Sequence, residues 1–192
     1  MNKTKFEEIK NNNGHYASWA IWAEEGKKPK DNIGDLSIFD TKKSVNFLKK
    51  LNPNIILVGL NISRRVESPL SNFHDSRSQA MDYKIRYALK DSPYWGAYMT
   101  DIIKDFEQKA SGKVMSYLRS DKNFEKENIN LFQEELNVIG ATNPKIIAFG
   151  VDAFKVLSRN FSNQYSIKKI PHYSNYTSKE EYREEVRCIL NF

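Results

Sequence analysis

Apolar positions divide most of the chain into short hydrophobic runs that alternate with amphipathic segments. Four runs have the length and β-branched character of buried strands: 55–58, 98–100, 145–149 and 166–170. Five segments place apolar residues at helical spacing: 40–51, 79–89, 129–139, 151–157 and 178–190. Fully apolar strands that alternate with helices are typical of parallel sheets covered on both faces. The pattern therefore predicts an α/β three-layer sandwich with a central four-stranded parallel sheet.

Two stretches fit this alternation less well. Residues 1–50 are interpreted as a helical lead-in that packs on the main body through Tyr16, Trp19, Ile21 and Trp22, and residues 109–126 are charged and expected to be variable in structure. The chain has 192 residues, a length that suits one hydrophobic core. We expect residues 1–192 to form a single domain.

The charge distribution bears on whether the chain binds nucleic acid. Lys and Arg total 30 against 24 Asp and Glu, a mild basic excess that is compatible with nucleic acid. Residues 153–178 contain no acid, and four basic residues lie there: Lys155, Arg159, Lys168 and Lys169. They are either a DNA-binding surface or a solvated basic face.

Cysteine and histidine usage limits the chemistry. Cys188 is the only cysteine, so no intrachain disulfide can form, and we expect a reducing, cytoplasmic setting in which Cys188 packs in the core. Few soft ligands predict no structural zinc or iron–sulfur site. No apolar run approaches the roughly 18 residues of a membrane helix, and the polar N-terminus lacks a signal sequence. We therefore expect no membrane association, and a monomer.

Polar residues follow the predicted strands at their carboxyl ends. Residues 59–63 follow the first strand, Asp101 the second, and residues 172–175 the fourth. Open α/β sheets place their binding sites beyond the carboxyl ends of the strands. The sequence therefore predicts one site built from these three segments.

With these segments at the strand ends, the chain from about residue 54 onward resembles the uracil-DNA glycosylase superfamily. Ile55 to Ser63 is similar to the family's first motif, a strand running into Gly-x-Asn-Pro-x, and closest to the mismatch-specific and single-strand-selective branches. Residues 145–157 resemble the third strand and the helix after it. Residues 171–174, Pro-His-Tyr-Ser, resemble the second motif, commonly His-Pro-Ser-Pro. Ile62 and Tyr173 depart from these motifs, where the family usually has proline.

The resemblance implies a strand order of second, first, third, fourth. It also implies a DNA base-excision repair enzyme, a glycosylase that hydrolyses the N-glycosidic bond of a flipped, damaged or deaminated base without cofactor. The catalytic residues would be Asn61, which positions water, and His172, which donates a hydrogen bond to the departing base. Each also has a structural interpretation, as a turn residue that satisfies backbone groups.

Further residues would bind the base and the DNA backbone. The base pocket would include Gly59, Leu60, Ile62 and Phe73, with Phe73 as the aromatic floor and Tyr94 and Trp95 as alternatives to it. Either Thr100 or Asp101 would read the edge of the base. An ionised Asp101 only accepts hydrogen bonds, which disfavours O4 of uracil, unless the residue caps a following helix. The phosphate contacts would come from Ser63, Arg64, Arg65 and Ser174.

Two other functions are compatible with the same residues. One is a binding protein for nucleic acid or a free base that has this fold but no hydrolytic activity. The other is a small-molecule enzyme on a parallel sheet, although the chain has neither a P-loop nor a Gly-x-Gly-x-x-Gly motif. Adjacent His74 and Asp75 are too few to indicate a metal site.

Overall fold

The computed structural model describes residues 1–192 and contains one mostly parallel sheet of five strands. The strands are β1 Ser18–Trp19, β2 Asn52–Asn61, β3 Ala97–Ile103, β4 Lys145–Phe149 and β5 Ile167–Ile170. Their order across the sheet is β1-β3-β2-β4-β5. The pairs β2–β3, β2–β4 and β4–β5 are parallel, and β1 pairs antiparallel with β3.

The predicted α/β fold with a parallel sheet between helices is confirmed, but the predicted strand count and complete order are wrong. The additional strand, β1, pairs Ser18 with Met99 and Trp19 with Tyr98 at the edge of the sheet. Two residues are too short for an alternating pattern to be visible in the sequence, and this strand exists because β3 supplies its hydrogen-bonding partner. The four predicted segments lie side by side as β3-β2-β4-β5.

Six helices surround the sheet: α1 Lys3–Asn13, α2 Tyr83–Leu89, α3 Ser111–Ser120, α4 Lys122–Ile139, α5 Gly150–Phe161 and α6 Lys179–Leu190. The predicted helix at 40–51 is absent, and short 3₁₀ helices lie at Leu36–Phe39 and Asn46–Lys49 instead. There Asp40 and Ser44 accept hydrogen bonds from backbone N–H groups two residues on, which favours turns over helix.

The charged stretch at 109–126 is helical rather than variable. It contains α3 and the start of α4, and the Asp121 carboxylate caps α4 by accepting from Phe124 N at 2.9 Å. Both helices bury an apolar stripe that includes Val114, Leu118 and Ile129. Tertiary packing of this apolar stripe thus stabilises helices in a segment for which the high charge predicted variable structure.

Two hydrophobic cores lie on opposite faces of the sheet. Ile56 and Val58 of β2 face the core formed with α1, α3, α4 and α5, whereas Leu57 faces the core formed with α2 and α6. This alternation is the period of two expected of a strand covered on both faces. Cys188 is exposed, contrary to expectation, because α6 turns Tyr182, Val186 and Leu190 inward at four-residue spacing.

Candidate active site

A cavity of about 450 Å³ opens at the carboxyl ends of the parallel strands. Loops after β2, β3 and β5 and the first turn of α5 form its walls. Ten of the residues selected from the sequence line it: Gly59, Leu60, Asn61, Ile62, Ser63, Arg64, Phe73, Asp101, His172 and Ser174. The fold therefore brings Asn61 and His172 to one cavity although they lie far apart in the sequence.

Asn61 lies at the end of β2 and holds the loop that follows β3. Its Nδ2 lies 2.8 Å from the carbonyl oxygen of Ile62, 2.9 Å from that of Phe106 and 2.8 Å from that of Gln108. The two N–H groups of an amide are thus fully engaged with the backbone. Its Oδ1 has no protein partner and is the one polar atom of this side chain that can bind a ligand.

His172 follows β5 and is held in one orientation by Ser174. The backbone N–H of Ser174 donates to Nδ1 at 3.2 Å, and the Ser174 hydroxyl lies 2.8 Å from the same nitrogen. Nδ1 must accept, so the hydrogen of the neutral ring is on Nε2. Burial lowers the pKa of His172, which favours this neutral form. Nε2–H has no protein partner and is a donor available to a ligand.

The fit of His172 depends on Gly150, the first residue of α5. Gly150 has φ +82°, and a Cβ there would lie 3.2 Å from Cβ of His172. A side chain would therefore be strained and would press on the histidine. The glycine allows the chain to turn sharply from β4 into α5 directly beneath the ring.

Asp101 lies at the centre of the cavity wall and is 3% exposed. Asn72 Nδ2 donates to its Oδ2 at 2.9 Å, whereas its Oδ1 has no protein partner. Burial raises the pKa of Asp101 to about 7, although the Asn72 hydrogen bond and the charge of Lys104 lower it. Asp101 is within β3, which continues to Ile103, so it does not cap a helix.

Phe73 is the aromatic wall of the cavity. Its ring centroid lies 5.8 Å from that of Phe149 and 6.3 Å from that of Tyr173. Phe73 has φ +64°, which is unfavourable for a bulky side chain. Asn72 Oδ1 accepts from Phe73 N at 3.1 Å, so Asn72 holds both Phe73 and Asp101 in place. The alternatives Tyr94 and Trp95 do not line the cavity.

Asp82 is a wall residue that the sequence did not reveal. It is 6% exposed, its Oδ2 accepts from Asp75 N at 2.8 Å, and its Oδ1 has no protein partner. Burial raises the pKa of Asp82 to about 7. Burial also acts on neighbouring Asp75, but hydrogen bonds from Arg77 hold the pKa of Asp75 below its usual range. Asn72 and Asp152 also line the cavity and were missed, because no local pattern distinguishes them. Tyr173, which belongs to the predicted segment 172–175, lines the cavity as well.

Thr100, the alternative to Asp101, was predicted to bind substrate, and this prediction is wrong. Successive residues of a strand point to opposite faces, and Thr100 faces the core, where it donates to Glu135 Oε1 at 2.9 Å. Lys104 also bonds Glu135 and donates to Thr100 Oγ1 at 2.7 Å. Thr100 therefore belongs to a buried ion-pair network behind the cavity.

The predicted basic surface is not a single surface. Lys168 and Lys169 are consecutive in β5 and point to opposite faces of the sheet. Lys168 donates to Ile189 O at 2.9 Å, at the end of α6, and Arg159 forms an ion pair with Glu125 at 2.6 Å. Lys155 is exposed on α5 and does not line the cavity.

Basic residues of the loop after β2 lie closer to the cavity. Arg65 lines a second cleft of about 260 Å³, which shares Ser63 and Arg64 with the main cavity. Lys109, in the loop after β3, lines the main cavity itself. The rim around Ser63 is thus the place where cationic side chains and the cavity meet.

His74 has a structural role. It is buried, and its ring nitrogens lie 3.0 Å from Asn72 O and 3.1 Å from Ile21 O. No group of three or more potential ligands is arranged to hold a metal ion. None of the helices combines the length and apolar character required to cross a bilayer.

In comparisons with known proteins, no protein-family model, curated protein or solved structure matches this chain. The class that the fold defines is an α/β protein with a cavity at the carboxyl edge of a mostly parallel sheet.

Proposed function

We propose that this protein is a monofunctional DNA base-excision glycosylase, which hydrolyses the N-glycosidic bond of a base flipped into the cavity. The observation that carries the proposal is the meeting of three groups in one cavity. They are the ring of Phe73, the free Nε2–H of His172 and the free Oδ1 of Asn61. These groups are suited to stack a base, donate to it and hold a water molecule.

When the base is neutral in the substrate, the reaction needs the negative charge that develops on the departing base to be stabilised. His172 Nε2–H would donate to an oxygen of the base as charge accumulates there, and the neutral ring needs no proton transfer to do so. Asn61 Oδ1 would accept a hydrogen bond from the attacking water and orient it. Because an amide is a poor base, the rate would depend on the leaving group and on fixed geometry.

Asp101 would face the edge of the base. As an ionised group it only accepts hydrogen bonds, so it disfavours a carbonyl such as O4 of uracil and favours an amino group. The pKa near 7 makes this discrimination strongest in mildly alkaline solution. Uracil is therefore not expected to be the best substrate.

DNA would approach along the rim that carries Ser63, Arg64 and Ser174, with Arg65 in the adjoining cleft. Hydroxyl and guanidinium groups there are suited to phosphate contacts, which position the strand without reading its sequence. The exposed Lys155 and Lys169 would contribute only long-range attraction.

A base- or nucleic-acid-binding protein without hydrolytic activity is the second candidate. It is favoured by the three backbone contacts of Asn61 Nδ2, which give that residue a structural role independent of catalysis. Ile62, which replaces the usual proline of the resembling motif, also leaves this loop without a fixed φ.

The experiment is an excision and binding assay on labelled single- and double-stranded oligonucleotides that contain uracil, hypoxanthine, xanthine, mismatched thymine or 7-methylguanine. Alkaline scission of abasic sites reports cleavage. We expect at least one altered base to be released, and we expect His172→Ala to reduce the rate about 100- to 1000-fold, as removal of a donor to developing negative charge does elsewhere.

Asp91→Asn is the matched control, since Asp91 is exposed, lies outside the cavity and has φ +59°, which Asn tolerates. Tight binding of an altered base without release would favour the second candidate. Neither binding nor release of any base would reject both.

A further inference from the structure

The cavity is acidic although the chain as a whole is basic. Its lining includes four aspartates, Asp75, Asp82, Asp101 and Asp152, but only two cations, Arg64 and Lys109. The formal net charge of the protein is +6. A local excess of charge opposite in sign to the rest of the molecule concentrates ligands of the other sign.

The charge of Asp75 is already matched, but the others are not. Asp75 bonds Arg77 at 2.8 Å and lies 3.7 Å from Arg64. Asp82, Asp101 and Asp152 form no ion pair. Lys109 is the one cation of the lining outside the Asp75 ion pairs, and the charges of Arg64 and Arg77 near Asp82 and of Lys104 near Asp101 only partly offset the burial that raises the pKa of both carboxyl groups.

Two of the unmatched carboxyl groups are buried and incompletely bonded. Asp82 and Asp101 are each more than nine-tenths buried, and each uses only one oxygen in a hydrogen bond with the protein. Neither remaining oxygen, Oδ1 of Asp82 or Oδ1 of Asp101, is fully enclosed, so each is accessible from the cavity and can accept a hydrogen bond or attract a positive charge there. A ligand that supplies either would be bound selectively over one that supplies neither.

Aromatic rings line the same space, and Phe73 and Phe149, 4% and 2% exposed, each contribute a small part of their surface to it. Phe73, Phe149 and Tyr173 form one cluster with centroid separations of 5.3 to 6.3 Å. The faces of such rings carry partial negative charge and attract cations, most strongly where water is excluded. A flat, positively charged ring satisfies both features of the cavity: it packs on the aromatic rings, and it favours the ionised form of the Asp82 and Asp101 carboxyl groups and neutralises their charge.

We propose that the preferred ligand of this cavity is a cationic nucleobase, a purine alkylated on a ring nitrogen such as 7-methylguanine or 3-methyladenine. This inference rests on the proposed function and names its substrate class. A neutral base of the same shape would stack equally well and could donate the same hydrogen bonds, but it would leave the charge of Asp82 and Asp101 unmatched.

Such a substrate also suits the modest catalytic groups of the site. When the C1′–N9 bond breaks, its electron pair goes to the purine and neutralises the positive ring. The oxygen of water forms the new bond to C1′, and one proton of that water passes to the medium. The base leaves neutral, so neither a strong acid nor a strong base is needed, and the Asn61 amide and the neutral His172 are sufficient.

The test compares binding of two DNA duplexes by the full-length protein. One carries 7-methylguanine on a 2′-fluoroarabino sugar, which resists hydrolysis, and the other carries the neutral isostere 7-methyl-7-deazaguanine on the same sugar. We expect the cationic base to bind at least tenfold more tightly. Asp101→Asn and Asp82→Asn should each reduce that ratio at least threefold, whereas Asp91→Asn should preserve it.

The outcomes separate this inference from the proposed function. Equal affinity for the two duplexes, or a preference unchanged in both cavity variants, would overturn the cationic-base inference. If a neutral altered base is nevertheless excised, the glycosylase proposal stands alone. Tight, Asp-dependent binding of 7-methylguanine without release from the unmodified sugar supports the ligand class and rejects hydrolysis.

Discussion

Gly59 and Asp101 are register partners on neighbouring parallel strands, and the carboxyl group of Asp101 occupies the space above the Gly59 Cα. A Cβ on Gly59 would lie 2.1 Å from Oδ1 of Asp101 and 3.5 Å from the ring of Phe73. The absence of a side chain at Gly59 therefore allows a buried carboxyl group and an aromatic ring to share the cavity wall.

Gly59→Ala is expected to destabilise the protein and displace Asp101. Overpacking of a well-filled site typically costs about 1–3 kcal/mol, to be measured as the free energy of unfolding in urea. Gly112→Ala is the control: Gly112 is in α3 with no atom within 4 Å of its Cβ position, so alanine should stabilise the protein by up to about 1 kcal/mol. Equal effects of the two substitutions would contradict the close approach of Asp101 to Gly59.

The buried carboxyl of Asp101 predicts a pH dependence of stability. Its pKa is about 7 in the folded protein against an ordinary value of 3.8. Between these values the unfolded chain releases the proton and the folded protein retains it, so stability decreases as pH rises from about 4 to about 7. The contribution of one such group reaches at most about 1.4 kcal/mol per pH unit.

Asp101→Asn removes that contribution, so the variant should gain stability relative to the wild type as pH rises through this window. Urea unfolding at several pH values measures the difference. The wild-type profile also contains Asp82, which acts in the same direction, and His74, whose pKa is lowered by burial to about 4. His74 contributes stability that is lost as pH falls below about 6.5. A difference independent of pH would contradict the raised pKa of Asp101.

The ion pair of Lys104 and Glu135 behind the cavity is expected to be costly to break. Both side chains are buried, and Tyr98 also donates to Glu135 at 2.7 Å. Glu135→Gln leaves the Lys104 charge unmatched, which should cost about 3–5 kcal/mol of stability. The double variant Lys104→Met, Glu135→Leu should recover only part of the loss in chemical denaturation, because it removes the unmatched charge but leaves the buried hydroxyl groups of Tyr98 and Thr100 without their acceptor. Glu134→Gln, on the exposed side of α4, should have little effect, and a comparable loss there would contradict this explanation.

DNA binding is expected to depend on salt and on the rim of the cavity. Neutralising phosphates releases counterions, so affinity should fall steeply as salt increases. Arg65→Ala should weaken binding and reduce the slope of log affinity against log salt by about 0.9 on duplex DNA, the value for one lost phosphate contact. Lys168→Ala should leave the slope unchanged, because Lys168 lies against the end of α6. Fluorescence anisotropy titrations measure both, and the reverse result would place DNA on the β5 side.

The sequence by itself determined the α/β class, the four parallel strand segments and the position of Asn61 and His172 at the carboxyl ends of strands, although β2 extends to Asn61 and does not end before residue 59 as predicted. Continuous apolar runs report burial on both faces, and polar residues directly after such runs must lie at one edge of a parallel sheet. Both are consequences of local pattern, which is why they could be predicted without coordinates.

Only the tertiary structure decided which of two adjacent strand residues lines the cavity and which residues distant in sequence contribute the rest of its wall. Thr100 and Asp101 are adjacent in β3 and point to opposite faces of the sheet, so Thr100 bonds Glu135 and Asp101 bonds Asn72. Lys168 and Lys169 separate for the same reason. The pairing of β1 with β3, the exposure of Cys188 and the burial of Asp82 all depend on neighbours distant in sequence. Such contacts arise from side-chain direction and packing, which no local pattern of residues encodes.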